Sequence, residues 1–313
     1  MKRHQIKGAL AALITPIDDL GRPDLDVFDQ VIDFVTELGL DGVVIGGATG
    51  EYLHFDIEDR LRMSAHAVKR IGGRASVITS VGTSSIHSTL PLAERAAQLG
   101  NEALLLPMPY FFRYEQQDLE AFAEKVCGAV DIPFLLYNLP SFTNPIEVGT
   151  AIQLLHAVPN LIGMKDSSGQ RANLQPLAEA RSAGSFSLMV GDDSLLLSAA
   201  LAGWDGVISG IACFAPELIA AVQRNHCEGN AEEARRLQAM LDEIIEWVVR
   251  LPIPWAVRAG LAVRGIANGP MHLPVSAARA RVIREFGEWL EGWADAHGLP
   301  LRGVWTTFHG IPA

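Results

Sequence analysis

Eight short apolar runs, separated by amphipathic stretches, restrict this 313-residue chain to few folds. The runs lie at residues 9–14, 42–45, 76–80, 103–106, 134–137, 162–165, 187–190 and 206–209. Between them, residues 24–38, 57–70, 90–99, 119–129 and 172–182 read as helices, and Gly39, Gly72 and Gly100 stand where helix-stopping glycines belong. Strand and helix alternating in this way is the pattern of βα units around a parallel sheet. Eight such units close a barrel, so the expected fold class is α/β, a (β/α)8 TIM barrel with a C-terminal helical extension. A doubly wound open sheet is the rival, but it rarely needs eight consecutive parallel units, and no G-x-G-x-x-G follows the first run.

Beyond residue 230 the strand signals stop. Residues 231–250, 254–264 and 276–297 are helical in pattern, and 298–313 reads as an irregular tail that either docks on a neighbour or frays. The expected division is therefore a barrel over 1–229 and a C-terminal helical domain with its tail over 230–313.

Hydrophobic residues make up 49% of the chain, which calls for a large core or extensive self-association. A net charge of −11, with 20 scattered arginines, argues against nucleic acid, because phosphate binding needs clustered cations. No apolar run approaches the roughly 20 residues of a membrane helix. The basic start Met1-Lys2-Arg3 with the apolar stretch 8–14 has some look of a signal peptide. It runs straight into Thr15-Pro16-Ile17-Asp18-Asp19 without a small-residue cleavage site, which favours a first strand. Cys127, Cys213 and Cys227 show no C-x-x-C or disulfide-scaffold spacing, which fits a reducing, cytoplasmic setting and excludes a thiolate metal site.

In a parallel barrel the active site forms at the C-terminal ends of the strands, so position along a strand becomes a functional criterion. Of the five lysines, Lys2 and Lys7 precede the first strand and Lys69 and Lys125 fall on outer helices. Only Lys165 ends a strand. A buried amine there can shed its proton, attack a carbonyl and form a Schiff base whose nitrogen serves as an electron sink. The bland alternative is a lysine that reaches solvent or pairs with Asp166, with Ser167 and Ser168 capping the loop.

Tyr137 ends the preceding strand, where a phenol beside an imine can move protons, unless it is simply a core aromatic with its hydroxyl at the rim. The turn Gly46-Gly47-Ala48-Thr49-Gly50-Glu51 points backbone N–H groups at a carboxylate or phosphate, with Thr49 adding a hydroxyl and Glu51 bonding backbone N–H groups. Metal-dependent aldol chemistry would need several converging ligands, and His54, His87 and His156 form no H-x-H or H-x-x-x-H pair, so neither metal nor cofactor is expected.

Gly47-Ala48-Thr49-Gly50-Glu51, Tyr137-Asn138-Leu139-Pro140-Ser141, Ile162-Gly163-Met164-Lys165-Asp166 and Gly191-Asp192-Asp193, in this order and spacing, resemble the dihydrodipicolinate synthase and N-acetylneuraminate lyase family over nearly the whole chain. The resemblance implies a Schiff-base enzyme, usually tetrameric, acting on pyruvate or another 2-oxo acid. It makes Lys165 the imine lysine and Tyr137 the proton-transfer phenol. Gly47, Ala48 and Thr49 would bind the carboxylate, and Ile208 would bring its backbone carbonyl near the imine.

Three positions depart from the synthase branch of that family. Ala48 replaces a threonine of its hydroxyl relay, Phe111 stands where a neighbouring subunit's tyrosine is expected, and Phe142 replaces the arginine that holds the aldehyde's carboxylate. Tyr110 would substitute for the missing tyrosine only with a shifted register. The residues after Glu51 do not resemble a lysine feedback site. These departures favour reversible aldol cleavage of a 2-keto-3-deoxy sugar acid over 4-hydroxy-tetrahydrodipicolinate synthesis. Dehydration of such an acid uses the same imine, and a keto-acid sensor without activity is the non-enzymatic alternative.

Overall fold

The computed structural model describes residues 5–181 and 186–299, so the expected tail lies almost wholly outside the described residues. All eight apolar runs are strands: β1 (Gly8–Ala12), β2 (Gly42–Ile45), β3 (Ser76–Ser80), β4 (Ala103–Pro107), β5 (Phe134–Asn138), β6 (Leu161–Asp166), β7 (Ser187–Val190) and β8 (Gly206–Ser209). They are parallel, follow one another in sequence order and close where β8 pairs with β1. The chain is thus a (β/α)8 barrel rather than an open sheet.

Alternation along the strands sorts side chains into two layers. Leu10, Val44, Ile78, Leu105, Leu135, Met189 and Ile208 fill the barrel interior, while Ala11, Val43, Leu104, Leu136, Leu188 and Val207 face the helices. Burial on both faces is why these strands read as continuous apolar runs rather than alternating ones.

One strand breaks the alternation. Phe134 of β5 pairs with Leu161 of β6, but Leu135 pairs with Gly163, so β6 carries one extra residue in a β-bulge. Before the bulge Leu161 faces the helices and Ile162 the interior; after it Met164 faces the helices. Without the bulge, in a regular strand of the same residues, Lys165 would share the outward phase of Leu161. With it, Lys165 turns into the barrel. Gly163 suits this place, because an added Cβ would overlap the Ser187 carbonyl and crowd Leu135.

The barrel helices are α1 (Leu25–Glu37), α2 (Ile57–Ile71), α3 (Ile86–Ala97), α4 (Gln116–Ala129), α5 (Val148–Ala157), α6 (Leu174–Ala180), α7 (Leu196–Leu201) and α8 (Pro216–Cys227). Asp24 and Asp56 cap α1 and α2 by accepting from first-turn N–H groups, and Gly72 ends α2 at φ 55. Helix α3 begins earlier than expected, because Ser85 caps it and Pro91 lies inside it rather than in its first turn. Helix α6 is shorter than expected, opening from a 3-10 turn at Arg171–Asn173 and closing at Ala180.

The helices α9 (Ala231–Val248), α10 (Ile253–Val263) and α11 (Ala277–Ala296) follow, and α9 is joined to α11 by rings of Trp247, Phe286 and Trp289 whose centroids lie 5.6 to 6.3 Å apart. No described helix is long and apolar enough to cross a membrane.

Arg258 of α10 is fully buried. Its Nη2 donates to the Thr15 carbonyl at 2.7 Å and to Glu51 Oε2 at 2.9 Å, and its Nη1 donates to the Asn268 carbonyl at 2.8 Å. Glu51 is therefore structural, as expected, but its partner is a guanidinium 207 residues away and not backbone N–H groups. Arg258→Met would strand the Glu51 carboxylate in the interior and is expected to lower unfolding stability by about 3 to 5 kcal/mol. Urea titration checks this, and adding Glu51→Gln to that variant is expected to recover more than half of the loss.

Candidate active site

Lys165 is only 4% exposed at the C-terminal end of β6, and its register partner on β5 is Tyr137. The amine lies over the phenol ring, 4.6 Å from its centroid. The bland alternative of a Lys165–Asp166 pair is not found, since the Asp166 carboxylate is engaged elsewhere. It accepts from Asn138 Nδ2 at 2.9 Å, from the Ser168 backbone and hydroxyl at 3.0 Å each, and from Asn173 Nδ2 at 3.2 Å. Asp166 thus shapes the loop after β6, and the amine has no carboxylate ion-pair partner among the described residues.

The other expected residues gather around this pair. Ala48 packs on the interior cluster that contains Tyr137 and Ile208. Gly47 and Thr49 are buried in the turn after β2, and Gly210, just past β8, approaches Thr49 closely enough that an added Cβ would sit 3.1 Å from the Thr49 hydroxyl. The turn is held from outside: the Thr15 hydroxyl donates to the Gly50 carbonyl at 2.9 Å, and Glu51, at φ 54, is fixed by Arg258. The N–H groups of Ala48 and Thr49 have no acceptor among the described residues, so they are available to an incoming carboxylate.

Several neighbours carry more than the sequence assigns them, since Gly191 and Asp193 stand there only within a motif and Ser167 only as a loop cap. Gly191, after β7, makes room for the lysine side chain: an added Cβ would lie 2.5 Å from Lys165 Cε and overlap the Ser167 hydroxyl. Ser167 Oγ and Asp193 Oδ1 are both sealed from solvent and without a hydrogen-bond partner. Burial, reinforced by the charge of Asp192, pushes the Asp193 carboxyl up to about 6, against the pull of the Ser209 hydroxyl, Lys165 and the Ile211 N–H.

Phe111 takes a left-handed φ of 81 and is 87% exposed, and Phe142 is 63% exposed. Neither ring reaches the amine of its own chain. Tyr110 instead packs edge-on against Tyr52, with centroids 6.3 Å apart.

Two outcomes follow from this geometry. Gly191→Ala is expected to cut imine formation with pyruvate at least tenfold while leaving the circular dichroism spectrum unchanged, measured by the rate of borohydride trapping. Asp193 is protonated more readily folded than unfolded, so its stabilising contribution is present below pH 3.8 and is lost as pH rises to about 6. Asp193→Asn is accordingly expected to raise stability at pH 7.5 by on the order of 2 kcal/mol, with little difference near pH 3.5, in urea titrations at the two pH values.

The family model of the dihydrodipicolinate synthetase family matches residues 5–291. A 4-hydroxy-tetrahydrodipicolinate synthase of Nitrosospira multiformis is 34% identical over 281 residues, covering 88% of this chain and 92% of its own. The enzyme of the same name from Laribacter hongkongensis is 32% identical over 266 residues, covering 83% and 91%. Dihydrodipicolinate synthase from Aquifex aeolicus superposes with a TM-score of 0.88 at 28% identity, covering 95% of this chain and all of that one. With the barrel and its mouth in view, the conclusion is that the chain belongs to the dihydrodipicolinate synthase family of class I aldolases and lyases.

Proposed function

We propose that this enzyme cleaves a 2-keto-3-deoxy sugar acid reversibly to pyruvate and an aldehyde, with Lys165 as the imine lysine and Tyr137 as the proton carrier. The Lys165 amine attacks the C2 carbonyl, and water departs with a proton donated by Tyr137, giving an iminium and a phenolate. Tyr137 takes the proton of the C4 hydroxyl, and the C3–C4 pair flows to the iminium nitrogen, releasing the aldehyde and leaving an enamine. Protonation at C3 and hydrolysis return pyruvate and the free amine. The free N–H groups of Ala48 and Thr49 hold the C1 carboxylate, with Gly47 keeping the turn tight and Ile208 lining the opposite wall.

The observation that carries the substrate class is the character of the mouth beside Lys165. Ser167 Oγ and Asp193 Oδ1 are buried there without partners, whereas Phe142 replaces the cation that a carboxylate-bearing aldehyde would want. Buried polar groups of that kind are costly unless something bonds to them, and a hydroxylated carbon chain supplies the bonds. The relatives named 4-hydroxy-tetrahydrodipicolinate synthase favour a second reading, condensation of pyruvate with aspartate semialdehyde. Dehydration of the same sugar acid shares the imine. Exposed Phe111, Phe112 and Phe142 support self-association, and a homotetramer is the assembly proposed.

Pyruvate with borohydride is expected to add one reduced adduct per chain, on the peptide that carries Lys165, and Lys165→Ala to abolish it. An unlabelled Lys165 would sink the imine assignment. Among aspartate semialdehyde, N-acetylneuraminate and 2-keto-3-deoxy sugar acids, the last are expected to turn over fastest in coupled assays. Phe142→Arg is expected to raise kcat/KM for aspartate semialdehyde about tenfold, the worth of one charge-assisted hydrogen bond.

A further inference from the structure

Tyr137 and Lys165 face each other across β5 and β6, and the next residues along, Asn138 and Asp166, are register partners too. Alternation turns the first pair into the barrel and the second toward the helices. Asn138 and Asp166 therefore sit directly behind the phenol and the amine, and both are buried.

Asn138 Nδ2 donates to Asp166 Oδ1 at 2.9 Å, while Asn138 Oδ1 accepts the Ile146 N–H at 3.1 Å. A carboxylate accepts and a backbone N–H donates, so a single orientation of the amide satisfies both. The main chain continues the tie, with the Ser167 N–H donating to the Asn138 carbonyl at 2.9 Å and the Gly191 N–H to the Asp166 carbonyl at 2.8 Å. The ends of β5 and β6 and the segment after β7 are thus fastened at the level of the amine.

An asparagine at the end of a strand is ordinarily a turn residue, and the bond from Ile146 needs only its oxygen. What the nitrogen adds is a choice of register. Regular pairing onward from Phe134 and Leu161 would set Lys165, and not Asp166, opposite Asn138 on the helical side. The bond between Asn138 and Asp166 is made in the bulged register and lost in the regular one.

We propose, on the strength of the imine reading above, that Asn138 is a positioning residue whose bond to Asp166 holds β6 in the bulged register and so keeps the Lys165 amine facing the interior beside Tyr137. It touches no reacting atom and acts by weighting one strand phase against the other.

Asn138→Asp keeps the size of the side chain and the acceptor for Ile146 and removes the donor facing Asp166. Adding Asp166→Asn returns an N–H to the pair from the other strand. The rate of borohydride trapping with saturating pyruvate, taken per folded chain, reads how often the amine faces the site. A residue that serves stability alone would shift the melting temperature without moving that rate. N138D is expected to be trapped at least about tenfold more slowly than the wild-type protein. N138D/D166N is expected to be trapped at least about fivefold faster than N138D.

An unchanged trapping rate in N138D overturns the proposal, as does a double variant no faster than N138D. A wild-type protein that is not trapped overturns the imine reading itself, and the proposal with it. If N138D does not fold, Asn138→Ala carries the same comparison, and trapping of folded N138A at the wild-type rate overturns the register role.

Discussion

One buried guanidinium fastens three parts of the molecule that are distant in sequence. Arg258 of α10 holds the carbonyl after β1 at Thr15, the carboxylate of the β2 turn at Glu51 and the carbonyl of the segment after α10 at Asn268. Burying such a charge costs several kcal/mol unless its partners are well placed, and here Nε, Nη1 and Nη2 each donate to one. The turn proposed to hold the substrate's carboxylate is thus pinned from the C-terminal helices. Those helices are part of what keeps the mouth in shape and are not an appendage to a self-sufficient barrel.

Around that fixed turn, chemistry depends on fit as much as on residue type. Lys165 has an unobstructed course only because Gly191 offers no side chain, and its amine stays available because Asp166 is committed to Asn138, Ser168 and Asn173. The Tyr137 ring lies over the amine, and no carboxylate pairs with it among the described residues. Low dielectric and scarce counter-charge are conditions under which an amine gains from becoming a substrate-linked iminium with its own bound carboxylate.

Much of this was legible in the sequence, and what was not has physical reasons. The eight strands could be read because two-sided burial forces apolar runs, and Lys165 stood out because a cation at the end of such a run is costly. The Arg258–Glu51 pair could not be read, since 207 residues separate partners that only the closed barrel brings together. The pattern predicts α3 only from residue 90, whereas Ser85 caps the true start and Pro91 lies inside the helix. Ser167 and Asp193 look like loop residues in sequence, and their interest lies in hydrogen bonds they do not make, which only a structure reveals.

The bulge in β6 gives the imine chemistry proposed for Lys165 an unusual dependence on strand phase. Because side chains along a strand have only two directions, the bulge near Gly163 decides whether the amine faces the barrel interior or the helical layer. The capacity for covalent catalysis is therefore stored as a parity. A regular strand through the same residues would keep the lysine in the same strand and the same barrel, with its reactive end pointing at the helical layer.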